Sequence, residues 1–397
     1  MQVSVEDLGQ QEQAVLDAIT ANPFVGQQEI AAALGLARST VAAHIVQLVQ
    51  KGYILGRGYV LPKNKRIVCL GGATVDRKYY AAKPLIPETS NPVEGHRAYG
   101  GVARNVAENL ARLGVDVSLV SILGDDEAGN AMLRHLHDLG VDASRVVTTR
   151  EKPTAEYVAI IGPNSDLILG LADMDIFSLM TPAHLERAWP HLASASWVLA
   201  DCNMSPDILA HLVTRKQGAR FKLAVDAVSM PKVVRLPQDL NGVDLLFLNK
   251  DEADSYLKNS ALTPNKTASA LRARGAREVV LTLGKRGTVV ATAEGLLPQP
   301  AVPAHPIDVT GAGDAMIAGT LYRLLAGERL ASATRVGALL AAITTEHEAS
   351  VHPELSPGFL AGASHRIPEA RGAMAFSSEV DAGSREDNAS DRTKAAE

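Results

Sequence analysis

Asp308-Val309-Thr310-Gly311-Ala312-Gly313-Asp314 runs directly into the amphipathic stretch AMIAGTLYRLLAG, and this is the segment of the chain best suited to chemistry. Small residues at Gly311, Ala312 and Gly313 let successive backbone N–H groups point at one anion, and a helix starting there adds its positive dipole end. Together they make a phosphate cradle. Asp314, in the first helical turn, is placed to take a proton from an attacking hydroxyl, which is what phosphoryl transfer requires. The competing reading is structural: a strand-to-helix turn with an acid that complements the dipole.

Short apolar runs alternating with helical stretches must position that segment. From Arg66 onward these runs are IVCLGG, VSLVSILG, YVAIIG, SWVLAD, KLAVDAV, DLLFLN and EVVLTLG. The alternation predicts an α/β domain, a mainly parallel sheet with helices on both faces. Ahead of it, residues 10 to 61 read as three short helices with apolar positions Val15, Leu16 and Ile19, then Ile30, Ala33 and Leu34, then Val41, Ile45 and Leu48. GYILGRGYVL follows, a candidate hairpin wing around Gly56 and Gly58. The expected division is a module over 1–61, a polar linker over 62–65, an α/β domain over 66–364 and a disordered tail over 365–397.

Composition narrows the class. The 397 residues are 46% hydrophobic and 21% charged, enough apolar material for a sizeable core. With 44 acidic against 39 basic residues the net charge is −5, so any surface for nucleic acid must be local. Two cysteines, Cys69 and Cys202, lie in apolar stretches and leave no disulfide framework or cysteine-rich metal site. The N-terminal MQVSVEDLGQQEQ has no basic segment followed by an apolar run, and no stretch reaches the length of a membrane span. A cytoplasmic protein is the expectation.

The segment 308–314 resembles the DTxGAGD signature of ribokinase-like (PfkB) kinases, with Val309 in place of the more usual threonine. Gly100-Gly101-Val102-Ala103-Arg104-Asn105-Val106-Ala107 resembles that family's GGxxxNxA. Other matches follow in family order, over roughly residues 66 to 360. The resemblance implies an ATP-dependent phosphotransferase of ribokinase-like three-layer α/β/α fold, with a small β lid from about 79–99 and 153–172. It gives Asp76 and Asn105 the acceptor's hydroxyls, Gly100 and Gly101 close backbone approach to a sugar, and Asp314 the role of base. Asn249 and Glu252, in Asn249-Lys250-Asp251-Glu252, match NxxE, which positions Mg²⁺ through water. Thr282, Gly284 and Gly287 match the nucleotide-binding turn, with Gly311 and Gly313 at the phosphates. Asp308 and Thr310, with carbonyls near 345 to 350, match the site where many relatives hold K⁺. SNPVEGHRAYGGVARN, LADMDIFSLMTP, VLADCNMSP and VDAVSMPK resemble the pseudouridine-kinase group, which implies the 5′-hydroxyl of pseudouridine as acceptor. Asn203 and Asp173 are candidates for contacts to the uracil ring. Other nucleosides or a sugar are the alternatives. For Arg104 and Lys78 a surface ion pair is favoured over a role in binding a phosphorylated substrate.

QQEIAAALGLARSTVAAHIVQLVQKGYIL resembles the winged helix-turn-helix of bacterial regulators. From Ile30 to Arg66 the chain has Arg38, Lys51, Arg57, Lys63, Lys65 and Arg66 and no acid. Ser39, Thr40 and His44 are expected to face the major groove with Arg38 at the helix start, and Arg57 at the wing tip to reach phosphate or the minor groove. A homodimer would then read two half-sites. Two alternatives stand beside DNA binding: a module kept for dimerisation or protein contact, and a whole protein that regulates transcription with its kinase fold as ligand sensor.

Overall fold

Six of the expected apolar runs form parallel neighbours in one sheet because residues on both of their faces find a buried partner. The computed structural model describes residues 8–22, 25–55, 65–164 and 166–368. Its main sheet runs, in spatial order, Gly295–Gln299, Thr288–Thr292, Glu278–Thr282, Leu245–Asn249, Lys222–Asp226, Trp197–Asp201, Arg66–Leu70 and Asp116–Val120. Glu278–Thr282 through Asp116–Val120 are parallel; the two strands beyond Thr282 are antiparallel. That hairpin, TVVAT-AE-GLLPQ, is not foreseen by the sequence pattern; its strands are joined by the two-residue turn Ala293-Glu294.

Alternation along the strands sorts side chains into two layers. Val68, Leu70, Val198, Leu223, Leu246 and Leu281 pack on one side with Leu185, Trp189, Leu212 and Leu271 from helices. Ile67, Cys69, Leu199, Leu245, Phe247 and Val280 pack on the other with Val106, Leu110, Met316, Leu321 and Leu340. The result is the three-layer ribokinase-like arrangement the sequence implied.

A second sheet of four strands is ordered Val93–Gly100, Thr74–Ala81, Glu156–Ile161, Leu167–Asp173. It corresponds to the expected lid. YVAIIG belongs here and not to the main sheet, because Val75 to Tyr80 pair in parallel with Glu156 to Ile161. VSLVSILG divides at Ser121, and Ile122–Gly124 pairs with Val147–Thr149.

At the N-terminal end, helices Gln10–Ala21, Gln27–Leu34 and Arg38–Gln50 enclose Val15, Ile19, Ile30, Val41, Ile45, Leu48 and Ile54. Ala31 is buried here and Ala33 is exposed, a shift within the predicted stripe. The wing, Arg57 and most of the linker fall outside the described residues. The module contacts the larger domain: Tyr53 lies under the Arg220 guanidinium at 5.2 Å, and Gly52, at φ 80°, passes so near Ala193 that a Cβ would sit 1.9 Å from its carbonyl oxygen.

At the other end the ordered chain passes the expected start of the tail at 365. Ser364–Arg366 forms a 3-10 turn, where Arg366 pairs with Glu346 and donates to the Pro303 carbonyl. Among the described residues no single helix is long and apolar enough to cross a membrane.

Candidate active site

The carboxyl ends of the parallel strands gather the polar residues, as is usual for open α/β sheets. Asp201 ends Trp197–Asp201, Asp226 ends the adjacent strand opposite it, and Asn249 and Thr282 are register partners at the ends of the next two strands. Asp201 is fully buried and organises the junction between the first strand and the glycine pair. Its Oδ2 accepts from the N–H groups of Gly72 and Ala103, both at 2.9 Å, and its Oδ1 from Asn203 N at 2.8 Å. One carboxylate thereby fixes the turn after the first strand and the start of helix Val102–Arg112.

Gly100 and Gly101 sit in that junction for steric reasons. A Cβ on Gly100 would lie 2.2 Å from the Asp76 carboxylate, and Gly101, at φ 92°, would place one 2.4 Å from the Gly72 carbonyl oxygen. The junction brings Asp76, on lid strand Thr74–Ala81, and Asn105, on the helix, toward Asp314. Asn105 Nδ2 donates to Asp314 Oδ2 at 2.6 Å, and Asp76 Oδ1 accepts from Thr74 Oγ1 at 3.0 Å.

Gly311, at φ 81°, precedes helix Ala312–Leu325, and a Cβ on it would meet the Ser350 carbonyl oxygen at 2.1 Å. Ala312 N donates to Val309 O at 3.3 Å, so the anion-facing amides of the first turn are those of Gly313 and Asp314. A Cβ on Gly313 would have nothing within 4 Å, which is the open ground a phosphoryl group needs. Burial pushes Asp314 up to about 7, with Asp201 and Asp76 adding to the rise and the Asn105 bond and Arg104 charge opposing it. A carboxyl poised near neutrality is suited to general-base work.

Lys78 and Arg104 form the expected ion pairs, but Lys78 is only part-exposed and Arg104 is buried. Lys78 reaches from the lid to pair with Asp308, whose other oxygen accepts Thr310 N at 2.8 Å. The ammonium therefore stands on the carboxylate that the resemblance gave to K⁺. Burial raises Asp308, but the bonds from Lys78 and Thr310 outweigh it and hold the group below its usual range. Arg104 is 2% exposed and bonded on every side. Sequence reasoning missed it because an Arg at this helical position looks like any solvated cation.

Asn249 and Glu252 form a capping box on helix Lys250–Leu257: Asn249 Oδ1 accepts Glu252 N at 2.9 Å and Glu252 Oε2 accepts Asn249 N at 2.8 Å. The box commits Oε2, while burial holds Glu252 above its usual range. Asp226 is pushed well above its own by burial and by Glu252, Asp314 and Asp201. Crowded, desolvated acids of this kind fit a divalent cation. Among the described residues no set of three or more His, Cys, Asp or Glu is spaced to ligate one, so an ion here would keep most of its water. Sequence reasoning did not assign Asp201 or Asp226; the signal was their shared place at strand ends, in VLAD and LAVD.

Beyond Thr282, Gly284–Arg286 makes a single 3-10 turn and Gly287, at φ 92°, closes it; a Cβ there would lie 2.0 Å from Gln299 O. Asn203, one candidate for base contacts, is buried and accepts from Lys232 Nζ at 2.5 Å; Asp173, the other, is exposed at the end of a lid strand. In the N-terminal module Arg38 and Ser39 are exposed, but His44 turns toward Gln11, 3.4 Å from its amide oxygen. The open face of Arg38–Gln50 is instead Ser39, Ala43, Val46 and Gln47.

A parallel sheet with a β lid, a glycine-framed helix N-terminus and a buried carboxylate define the class: an ATP-dependent phosphotransferase acting on a hydroxyl. Residues 64–356 match the family described as pfkB family carbohydrate kinase, and residues 10–54 match the winged helix-turn-helix DNA-binding family. The chain belongs to the pfkB family. It is 31% identical over 354 residues to an uncharacterized sugar kinase of Escherichia coli, spanning 88% of this chain and 97% of that protein. To the pseudouridine kinase of the same organism it is 29% identical, over 73% of this chain and 93% of that one. A carbohydrate kinase structure from Agrobacterium tumefaciens, 31% identical, superposes with a TM-score of 0.68 over 77% of this chain and 98% of its own.

Proposed function

We propose that the chain transfers the γ-phosphate of ATP to the 5′-hydroxyl of pseudouridine. The observation that carries the reading is the convergence of Asp76, Asn105 and Asp314: two groups suited to vicinal hydroxyls beside one buried base. In this account Asp76 and Asn105 orient the acceptor, and Asp314 takes its proton as the amides of Gly313 and Asp314 receive the transferred charge. Thr282, Gly284 and Gly287 bring backbone to the nucleotide. Mg²⁺, when bound near Asn249 and Glu252, supplies charge neutralisation at the phosphates. The preference for pseudouridine draws on the sequence motifs and on similarity to the pseudouridine kinase, so a different nucleoside or a sugar is the second reading, favoured by the match to the sugar kinase.

The winged module, in the same proposal, binds duplex DNA through Arg38, Ser39 and the open face of its third helix, and the protein is a cytoplasmic homodimer. Edge strand Leu167–Asp173 supports the dimer: Leu167, Leu169 and Leu171 are 56%, 47% and 51% exposed on an unpaired sheet edge. ATP consumption with Mg²⁺, with and without K⁺, across pseudouridine, uridine, adenosine, inosine, ribose and fructose tests the acceptor. Selectivity for another member would replace it, and silence across the panel would favour the ligand-sensing regulator.

A further inference from the structure

Asp314 stands in an acidic neighbourhood. Asp76 faces it from the lid strand, and Asp201 and Asp226 from the ends of two parallel strands. The cation that answers them is Arg104 on helix Val102–Arg112. Its guanidinium is buried and fully spread: Nη1 pairs with Glu108, Nη2 donates to the Tyr99 carbonyl at 2.6 Å and to Asn105 Oδ1, and Nε donates to the Gly100 carbonyl at 3.3 Å. Tyr99 and Gly100 end lid strand Val93–Gly100, so one side chain touches the exit of the lid and the partner of the base.

The chemistry of the groups fixes the amide between them. A guanidinium has only donors, so it can donate only to the oxygen end of the Asn105 amide. The Nδ2 end is thereby turned to Asp314, where it donates at 2.6 Å. A flipped amide would set NH₂ against guanidinium and carbonyl against carboxylate, two repulsions at once. Glu108 is also held by Arg112 at 2.7 Å and His135 at 3.1 Å, so its charge does not depend on Arg104 alone.

We propose that Arg104 is a positioning residue for phosphoryl transfer: it locks the Asn105 amide with its donor toward Asp314 and, through its own charge, keeps that carboxyl ionised to receive the acceptor's proton. The inference rests on the reading of Asp314 as base. Both actions favour the anion, so their loss raises the pKa of Asp314 further, and the acid limb of kcat moves to higher pH. A purely structural Arg104 would lower stability or rate at every pH and leave the limb in place.

The test is the pH profile of kcat for the full chain carrying Arg104→Met or Arg104→Lys, with KM for ATP and acceptor measured alongside. The expected result is an upward shift of the acid limb by about one pH unit in Arg104→Met, equivalent to a roughly tenfold loss of kcat on that limb. Arg104→Lys, which keeps charge but loses the planar fork, should shift it less, and KM should move little in both. If Arg104→Met does not fold, the double variant Arg104→Met/Glu108→Met removes the pair together and should show the same shift. A limb that stays at the wild-type pH overturns the proposal. Asp314→Asn run in parallel separates the two readings: its continued turnover would sink the base itself, whereas its inactivity with an unmoved Arg104→Met limb would sink the role of Arg104 alone.

Discussion

Lys78, on a lid strand, forms an ion pair with Asp308, at the threshold of the anion loop. The two side chains are 23% and 20% exposed, so water screens the pair only in part. It ties the second sheet to the segment proposed to hold the phosphates. Lys78→Met should therefore lower kcat/KM about tenfold, a loss near 1.4 kcal/mol of transition-state stabilisation. Its melting temperature should barely move, since such pairs contribute about 0–1 kcal/mol to folding. Steady-state kinetics and a thermal melt on one preparation decide it. A large loss of stability with unchanged kinetics would make the pair a scaffold contact.

The proposed base carries a stability signature of its own. Asp314 is raised from 3.8 to about 7 in the folded chain, chiefly by burial. Between those values the native state holds a proton that the unfolded chain has released, so stability falls as pH rises through the window. Asp314→Asn has no charge to bury. It should be more stable than wild type above pH ~8, by up to a few kcal/mol, with the gap closing toward pH ~4. The same variant should lose turnover by about 10²–10⁴-fold. Denaturant melts across pH check the first outcome and ATP consumption the second; a stability gap independent of pH would contradict the raised pKa.

Gly311 and Gly313 belong to one signature but fail differently. Gly311 has φ 81° and the Ser350 carbonyl where a Cβ would go, so Gly311→Ala should destabilise the loop and remove activity together. Gly313 has neither constraint. Gly313→Ala should fold with a normal melt and lose turnover because the methyl occupies phosphate space. Equal melting losses in both variants would refute this division.

The signature segment and the glycine pair were legible in the sequence because each is local: a few adjacent residues carry both the backbone demand and the chemistry. Asn249 and Glu252 were singled out only as a metal motif, and their capping box is what the structure adds. The lid was legible only through resemblance, since Thr74–Ala81 pairs in parallel with Glu156–Ile161 across a long stretch of chain and no local period announces that partner. Arg104, Lys78 and Asp201 were misread or missed for one physical reason. What they touch is set by tertiary approach, Arg104 under the lid exit, Lys78 across to a loop 230 residues away, Asp201 against two helix and turn amides. His44 went the other way: its helical position suggests a groove contact, and its ring lies beside Gln11 of the first helix.

The exposed leucines of the lid edge give the dimer a direct test. Leu169→Lys places a charge on the open edge of strand Leu167–Asp173 without touching a core side chain. If the proposed dimer forms through this edge, the parent should elute as a dimer and the variant as a monomer. A variant that stays dimeric would move the interface elsewhere.

The N-terminal module separates from the kinase by salt. Arg38 is exposed at the start of the third helix, where a cation meets phosphate and not a base edge. Each phosphate contact releases condensed counterions, so losing one contact reduces the slope of log affinity against log salt by about one. Arg38→Ala should weaken binding to every duplex alike and flatten that slope, whereas Gln47→Ala, on the open face, should weaken it in a sequence-dependent way. Fluorescence anisotropy on a bound duplex at several salt concentrations distinguishes them. Identical slopes for wild type and Arg38→Ala would leave the module as a protein-contact domain, held to the kinase by Tyr53 and Gly52.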